Sequence, residues 1–191
     1  MTTKISQFLA TAAAPARAVV RGIRDDQLAL PTPCAEYAVR DLLNHLFHVV
    51  VQFQGLASRQ PADFVTTPDY LDGDWRGRFA TETGRLAEAW SDPSALDGVS
   101  PGMGMPQETV GNMALVDLTV HAWELARATG QPYEPDPAVV SALYEPMERL
   151  LPQGRRFGVF ADPVPVPAEA TEFDRLLGLT GRDPAWTAPG R

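Results

Sequence analysis

The chain has 191 residues, 45% of them hydrophobic and 21% charged, which is enough apolar material for one good core and excludes a disordered chain. Its formal net charge of −8 and pI near 4.8 argue against a nucleic-acid partner, because that binding is driven by neutralising phosphates with Lys and Arg, and no basic stripe compensates locally. The single cysteine, Cys34, cannot form an internal disulfide and fits a reducing cytoplasm, and no segment offers the roughly 20 uninterrupted apolar residues that a bilayer crossing needs.

In chain order, the first helix is expected from about Thr3 to Arg24, with Ile5, Phe8, Leu9, Ala12, Val19, Val20 and Ile23 on one stripe and a bend near Pro15, whose ring removes a backbone donor. Ser6 and Gln7 interrupt the apolar run, so it does not read as a signal peptide. Leu30-Pro-Thr-Pro-Cys34 forces extended backbone before each proline. A second helix follows from about Val39 to Ser58, with Leu42, His45, Val49, Gln52 and Phe53 on one face.

Asp72 or Asp74 caps a third helix that ends near Trp90, its inner face including Trp75, Phe79, Leu86 and Trp90. The stretch Asp92 to Pro106 is a Gly/Pro-rich connection, and its Gly102-Met-Gly104 lacks the Lys-Ser/Thr ending of a phosphate loop. A fourth helix is expected from about Thr109 to Thr129, closed by Gly130. A fifth runs from about Pro137 to Leu151. The proline-rich Phe157 to Pro167 segment should be extended, and a short helix, Glu172 to Leu179, precedes a polar tail. Four helices of about five turns with mostly long connections suggest a four-helix bundle with a site between facing helices.

Only three histidines occur, and their placement carries the functional signal. In Asp117-Leu-Thr-Val-His121 the carboxylate and imidazole lie four residues apart and share a helix face, and His45 can approach from the second helix. Two imidazoles and one carboxylate match the ligands a protein gives Zn²⁺, or another first-row divalent ion, when it leaves positions open for water and substrate. Buried polar groups satisfied by hydrogen bonds are the competing explanation. His48 and Gln52 follow His45 along the same face and are the candidate pocket residues, with Phe157 to Pro167 as a cover. For His48, a backbone-bonded histidine is the plainer alternative. Glu124 and Arg127 fit a surface pair as well as they fit support for the ligands. Cys34 has no local activator and reads as a packed turn residue, and no Gly-x-Ser-x-Gly nucleophile elbow occurs.

Five blocks together carry a family resemblance: Thr32-Pro-Cys-Ala-Glu-Tyr37, Val39-Arg-Asp-Leu-Leu-Asn-His45, Asp117 to Gly130, Pro163-Val-Pro-Val-Pro167, and Phe173-Asp-Arg-Leu-Leu177 with Gly181-Arg-Asp-Pro184. They resemble the actinobacterial DinB-like, maleylpyruvate-isomerase-type metal-binding family over nearly the whole chain. The resemblance implies an all-α fold: an up-down-down-up four-helix bundle (1–131) with a C-terminal helical and extended segment (132–191) packed on it as one domain. It also implies a divalent metal, zinc first, held by His45, Asp117 and His121, and a low-molecular-weight thiol such as mycothiol as cosubstrate. The mycothiol-dependent isomerase has Glu where this chain has Asp117, and Ala38 stands where a polar helix cap is expected.

The functional expectation is therefore a zinc-dependent thiol transferase or isomerase for small electrophiles. Such a protein is cytoplasmic, takes a small-molecule substrate, binds neither nucleic acid nor membrane, and admits a homodimer. Metal-activated water would give hydrolysis at the same centre. A metal-binding accessory module without turnover, or an enzyme of specialised metabolism that reuses the scaffold, are the alternatives.

Overall fold

The computed structural model describes residues 2–188, so the last three residues of the polar tail lie outside the described part. Six helices form: α1 Lys4–Gly22, α2 Val39–Ala57, α3 Trp75–Ala89, α4 Gln107–Thr129, α5 Pro137–Arg156 and α6 Glu172–Leu179. Among the described residues there is no β-strand, only two isolated bridges, Pro31 with Ala38 and Val99 with Pro106.

The first four helices make the bundle, and side-chain bonds at their ends fix its topology. Thr3 and Ser6, at the start of α1, donate to the carbonyls of Trp90 and Ala87 at the end of α3, so these two run antiparallel. Gln107 opens α4 and donates to Leu56 O at the end of α2, which makes that pair antiparallel too. Beyond α4, Gln131 donates to Val19 O late in α1, while Gly111 meets Ile5 early in α1, so α1 and α4 are parallel. Trp90 Nε1 donates to Phe53 O and Phe79 packs on Phe47, which sets α2 and α3 parallel. The chain therefore runs up, down, down, up.

Burial follows the apolar stripes. Leu9, Leu42, Leu43, Leu46, Phe53, Phe79, Leu86, Trp90, Leu115 and Leu118 are fully enclosed, and the expected α3 face of Trp75, Phe79, Leu86 and Trp90 is buried throughout. Helix α4 is buried almost all round, which is why a single polar stripe is absent from it. It ends where Gly130 takes a left-handed conformation, φ 72°, that a side chain would oppose. A Cβ on Gly111 would sit 3.1 Å from both Ile5 and Trp90, so a glycine is what lets α1 and α4 approach there.

One local expectation needs correction. Helix α5 does not stop at Leu151 but continues to Arg156 through Pro152, with a second proline, Pro146, also inside it. As expected, Ala38, the residue that caps α2, offers no side-chain acceptor, but Asp41 reaches back to accept the Ala38 N–H at 3.1 Å, so half of a capping box is present. Helix α5 packs on α4 and α6, and the extended segment is pinned to α6 by Val164 N–H donating to Gly178 O. Among the described residues no helix is long and apolar enough to cross a membrane.

Candidate metal centre

His45 stands in the second turn of α2 and His121 late in α4. Because the two helices are antiparallel, both reach the same end of the bundle. Their rings meet edge to face with centroids 5.0 Å apart. Asp117, one turn before His121, places Oδ1 3.9 Å from His121 Nε2 and is partly exposed. His121 thus stands next to both His45 and Asp117.

The polarity of the His121 ring is set by a partner. Nδ1 lies 2.6 Å from Oε2 of Glu124, a residue with no exposed surface. A carboxylate only accepts, so the proton sits on Nδ1, and in the neutral ring the Nε2 lone pair is left facing Asp117. Glu124 uses its other oxygen, Oε1, to accept from Arg182 Nε at 3.1 Å, and Arg182 Nη1 donates to Thr180 O. Burial pushes the Glu124 carboxyl up, but the hydrogen bond from His121, with the charge and hydrogen bond of Arg182, outweighs it and holds Glu124 below its usual range.

The other two groups are tuned in opposite senses. Burial, with the neighbouring His121 second, pushes the His45 imidazole down to about 4, so it is a neutral ring at physiological pH. Burial raises the Asp117 carboxyl above its ordinary range, only partly offset by His121 and Arg182. Among the described residues Asp117 makes no hydrogen bond, and a carboxyl in that position gains most from a cation.

No three His, Cys, Asp or Glu side chains of the described residues lie close enough to form a ready metal cluster as they stand. The donor chemistry nonetheless fits a divalent ion. Ligand atoms around zinc at about 2.0–2.2 Å lie roughly 3.3 Å from one another, so the 3.9 Å between His121 and Asp117 needs only a small closure. The second nitrogen of a ligating histidine normally donates to a carboxylate, and that is the His121–Glu124 arrangement.

The remaining candidates have structural occupations. His48 is buried with both ring nitrogens engaged: Nε2–H donates to Asp63 O at 2.5 Å, and Nδ1 accepts from the Tyr70 hydroxyl at 2.9 Å. Gln52 Oε1 accepts the Asp63 N–H at 2.9 Å. Both therefore tie the α2–α3 connection to α2, and the polarity of that face has this partner. Glu124 and Arg127 do not pair with each other: Arg127 donates to the carbonyls of Pro184 and Trp186. The Phe157 to Pro167 segment packs toward the end of α5 and α6, and its Phe160 ring lies 6.0 Å from the Arg182 guanidinium. Cys34 is half-buried in the loop before α2, where burial, and the Glu124 charge after it, push its thiol up, away from nucleophile range.

Beside the centre stands a residue that spacing did not single out, Tyr37, whose ring lies 5.5 Å from that of His45. Arg182 was also missed as a site residue. It lies 58 residues beyond Glu124 in sequence, and only the tertiary fold joins them.

The model of the mycothiol maleylpyruvate isomerase N-terminal domain matches residues 9–126, from α1 through most of α4 and including all three candidate ligands. The chain belongs to that DinB-like family. It is also similar to uncharacterised proteins from two strains of Mycobacterium tuberculosis, 33% identical over 172 residues, which covers 86% of this chain and 90% of each relative. No solved structure matches.

Proposed function

We propose that this family member is a divalent-metal-dependent transferase or isomerase that adds a low-molecular-weight thiol, of the mycothiol type, to small electrophiles. The observation that carries the reading is the buried Glu124 bonded to His121 Nδ1, which leaves Nε2 facing Asp117 beside the neutral ring of His45. A hydrogen-bonded core histidine has no need of an unpartnered carboxylate at its other nitrogen. A metal ligand does.

In this reading His45, Asp117 and His121 hold the cation, zinc by preference for two imidazoles and a carboxylate. When bound, the cation lowers the pKa of a coordinated thiol, so that a nucleophilic sulfur exists at neutral pH. Glu124 fixes the His121 tautomer, and Arg182 balances the buried charge of Glu124. Cys34, kept as a thiol, does not compete with the cosubstrate for the electrophile. The reaction joins sulfur to an electrophilic carbon such as one end of an activated double bond, and the thiol proton passes to the carbon that receives the electron pair. Isomerisation is the same addition followed by loss of the thiol from a rotated product.

The test is thiol consumption by the zinc-loaded chain with a generic electrophile. Rate enhancement over zinc alone that disappears in Asp117→Ala is the result expected. A metal-replete protein that consumes no thiol with any of a panel of electrophiles would make this a binding module instead.

A further inference from the structure

Beyond α6 the chain crosses the end of α4 that carries His121, and two arginines clasp it there from opposite sides. Arg182, on the crossing segment, reaches in and donates from Nε to Glu124 Oε1 at 3.1 Å. Arg127, on α4, reaches out and donates to the carbonyls of Pro184 and Trp186. Glu124 and Arg127 lie three residues apart and so share one face of α4, beneath the strap that residues 180–186 form.

The path of the strap is set at the end of α6. Leu176 and Leu177 are fully buried and anchor that helix. Gly181 then takes φ 84°, and the N–H groups of Gly181 and Arg182 donate back to the carbonyls of Gly178 and Leu177, a turn that closes the helix and sends the chain toward α4. Only glycine fits at the turn: besides the left-handed backbone, a Cβ on Gly181 would stand 2.7 Å from that of Ala161. The same turn holds the Arg182 side chain, whose Nη1 donates to Thr180 O.

Glu124 has no exposed surface and the Arg182 side chain is only 14% exposed, so this ion pair is largely out of water. Removing one partner of such a pair strands the other charge in the interior, which a surface pair never risks. Among the described residues no other Lys or Arg bonds Glu124. Its second oxygen takes the proton of His121 Nδ1 at 2.6 Å, so what fixes Glu124 also fixes the imidazole. An unbroken run of hydrogen bonds therefore leads from the strap backbone through Arg182 and Glu124 to His121, whose Nε2 faces Asp117.

We propose that the strap is a working part of the metal centre: Arg182 is a positioning residue that holds Glu124 and, through it, the His121 ring, so that binding of a divalent cation and closure of the strap favour each other. This rests on the metal reading above and adds to it a means of regulation. Whatever lifts residues 180–186 loosens the cation, and a bound cation keeps the strap closed. Coupling of this kind is reciprocal, so one factor describes both directions.

The test uses the whole chain with zinc alone as the probe. Zinc affinity is read by competition with a zinc-sensitive dye, and strap closure by hydrogen exchange of the Trp186 amide, which is bonded to Asp183 O. Arg182→Gln should weaken zinc about tenfold, as loss of the support behind a ligating imidazole does. In the wild type, zinc should slow exchange at Trp186 by the same factor of about ten and leave unchanged the amides of Ser58 and Arg59, bonded at the far end of α2. Arg182→Gln should abolish that protection. Where Arg182→Gln fails to fold, Arg127→Ala takes its place, because Arg127 is exposed and clasps the strap without touching Glu124. It should quicken exchange at Trp186 and weaken zinc about threefold, through a smaller population of the closed form. Undiminished zinc affinity in Arg182→Gln, or in an Arg127→Ala whose strap exchanges faster, would overturn the coupling. So would zinc that leaves Trp186 exchange unchanged, or that slows both ends of the bundle alike through global stability. A wild type that binds no zinc refutes the metal reading and the coupling with it, whereas one that binds zinc as tightly with Gln at position 182 as with Arg refutes the coupling alone.

Discussion

His121 gains its meaning from Glu124. In a metal centre, loss of the carboxylate that orients a ligating imidazole typically weakens metal affinity about 10–100-fold, so Glu124→Gln should do so while leaving His45 and Asp117 in place, as a competition titration with a zinc-sensitive dye would show. His45 predicts a pH dependence. Its folded pKa of about 4 lies below the ordinary 6.5, so between those values the unfolded chain binds the extra proton. In the metal-free protein this contribution leaves stability unaffected above about pH 6.5 and removes it as pH falls toward 4, with a slope of up to about 1.4 kcal/mol per pH unit. Asp117, raised instead, has the opposite sign, since the folded state takes up its proton first. Denaturation of wild type and His45→Asn across that range isolates the histidine: wild type should lose ground to the variant on acidification, and parallel curves would refute the assignment. The pairing of Asp117 with His121 was legible because the two share a helix face at a spacing of four, and the approach of His45 to His121 follows from the antiparallel helices. Glu124 was visible at three residues from His121 but no spacing rule says that it is buried, and Arg182 and Tyr37 reach the centre only through the tertiary fold.

At the level of elements, apolar periodicity located every helix, because each core-facing stripe, such as Trp75, Phe79, Leu86 and Trp90 in α3, must be removed from water at roughly 25 cal/mol per Å². Where it erred, a local signal lost to tertiary packing. Pro152 reads as a stop, yet α5 continues past it, with Leu150 and Leu151 buried on the turn before. His48 and Gln52 look like pocket polarity from sequence, and the fold spends both on Asp63 of the α2–α3 connection. Changing Gln52 to Leu should therefore loosen residues 60–66, seen as faster proteolysis or amide exchange there, with metal content unaltered; unchanged protection would contradict this role. Gln107 is the element-scale residue that no pattern announced. Fully buried at the head of α4, it donates to the carbonyls of Leu56 and Ala95 and so joins α4 to the end of α2. Gln107→Leu should cost about 1–3 kcal/mol by leaving those acceptors unpaired, measured by urea denaturation.

At the scale of the molecule, the candidate ligands come from α2 and α4, one antiparallel pair of the bundle, while their support comes from the C-terminal segment through Arg182. The bundle core is expected to fold without a cation, and a cation bound to the native state alone would add stability by mass action. A chelator should accordingly lower the melting temperature and leave helical circular dichroism intact at room temperature, whereas unfolding on chelation would make the metal structural. The most direct measurement is elemental analysis of the purified 191-residue chain and of His121→Ala, both exposed to equimolar zinc and then desalted. About one equivalent of zinc in the wild type and none in the variant is the predicted result; an equivalent retained by His121→Ala, or no zinc in the wild type, would contradict it.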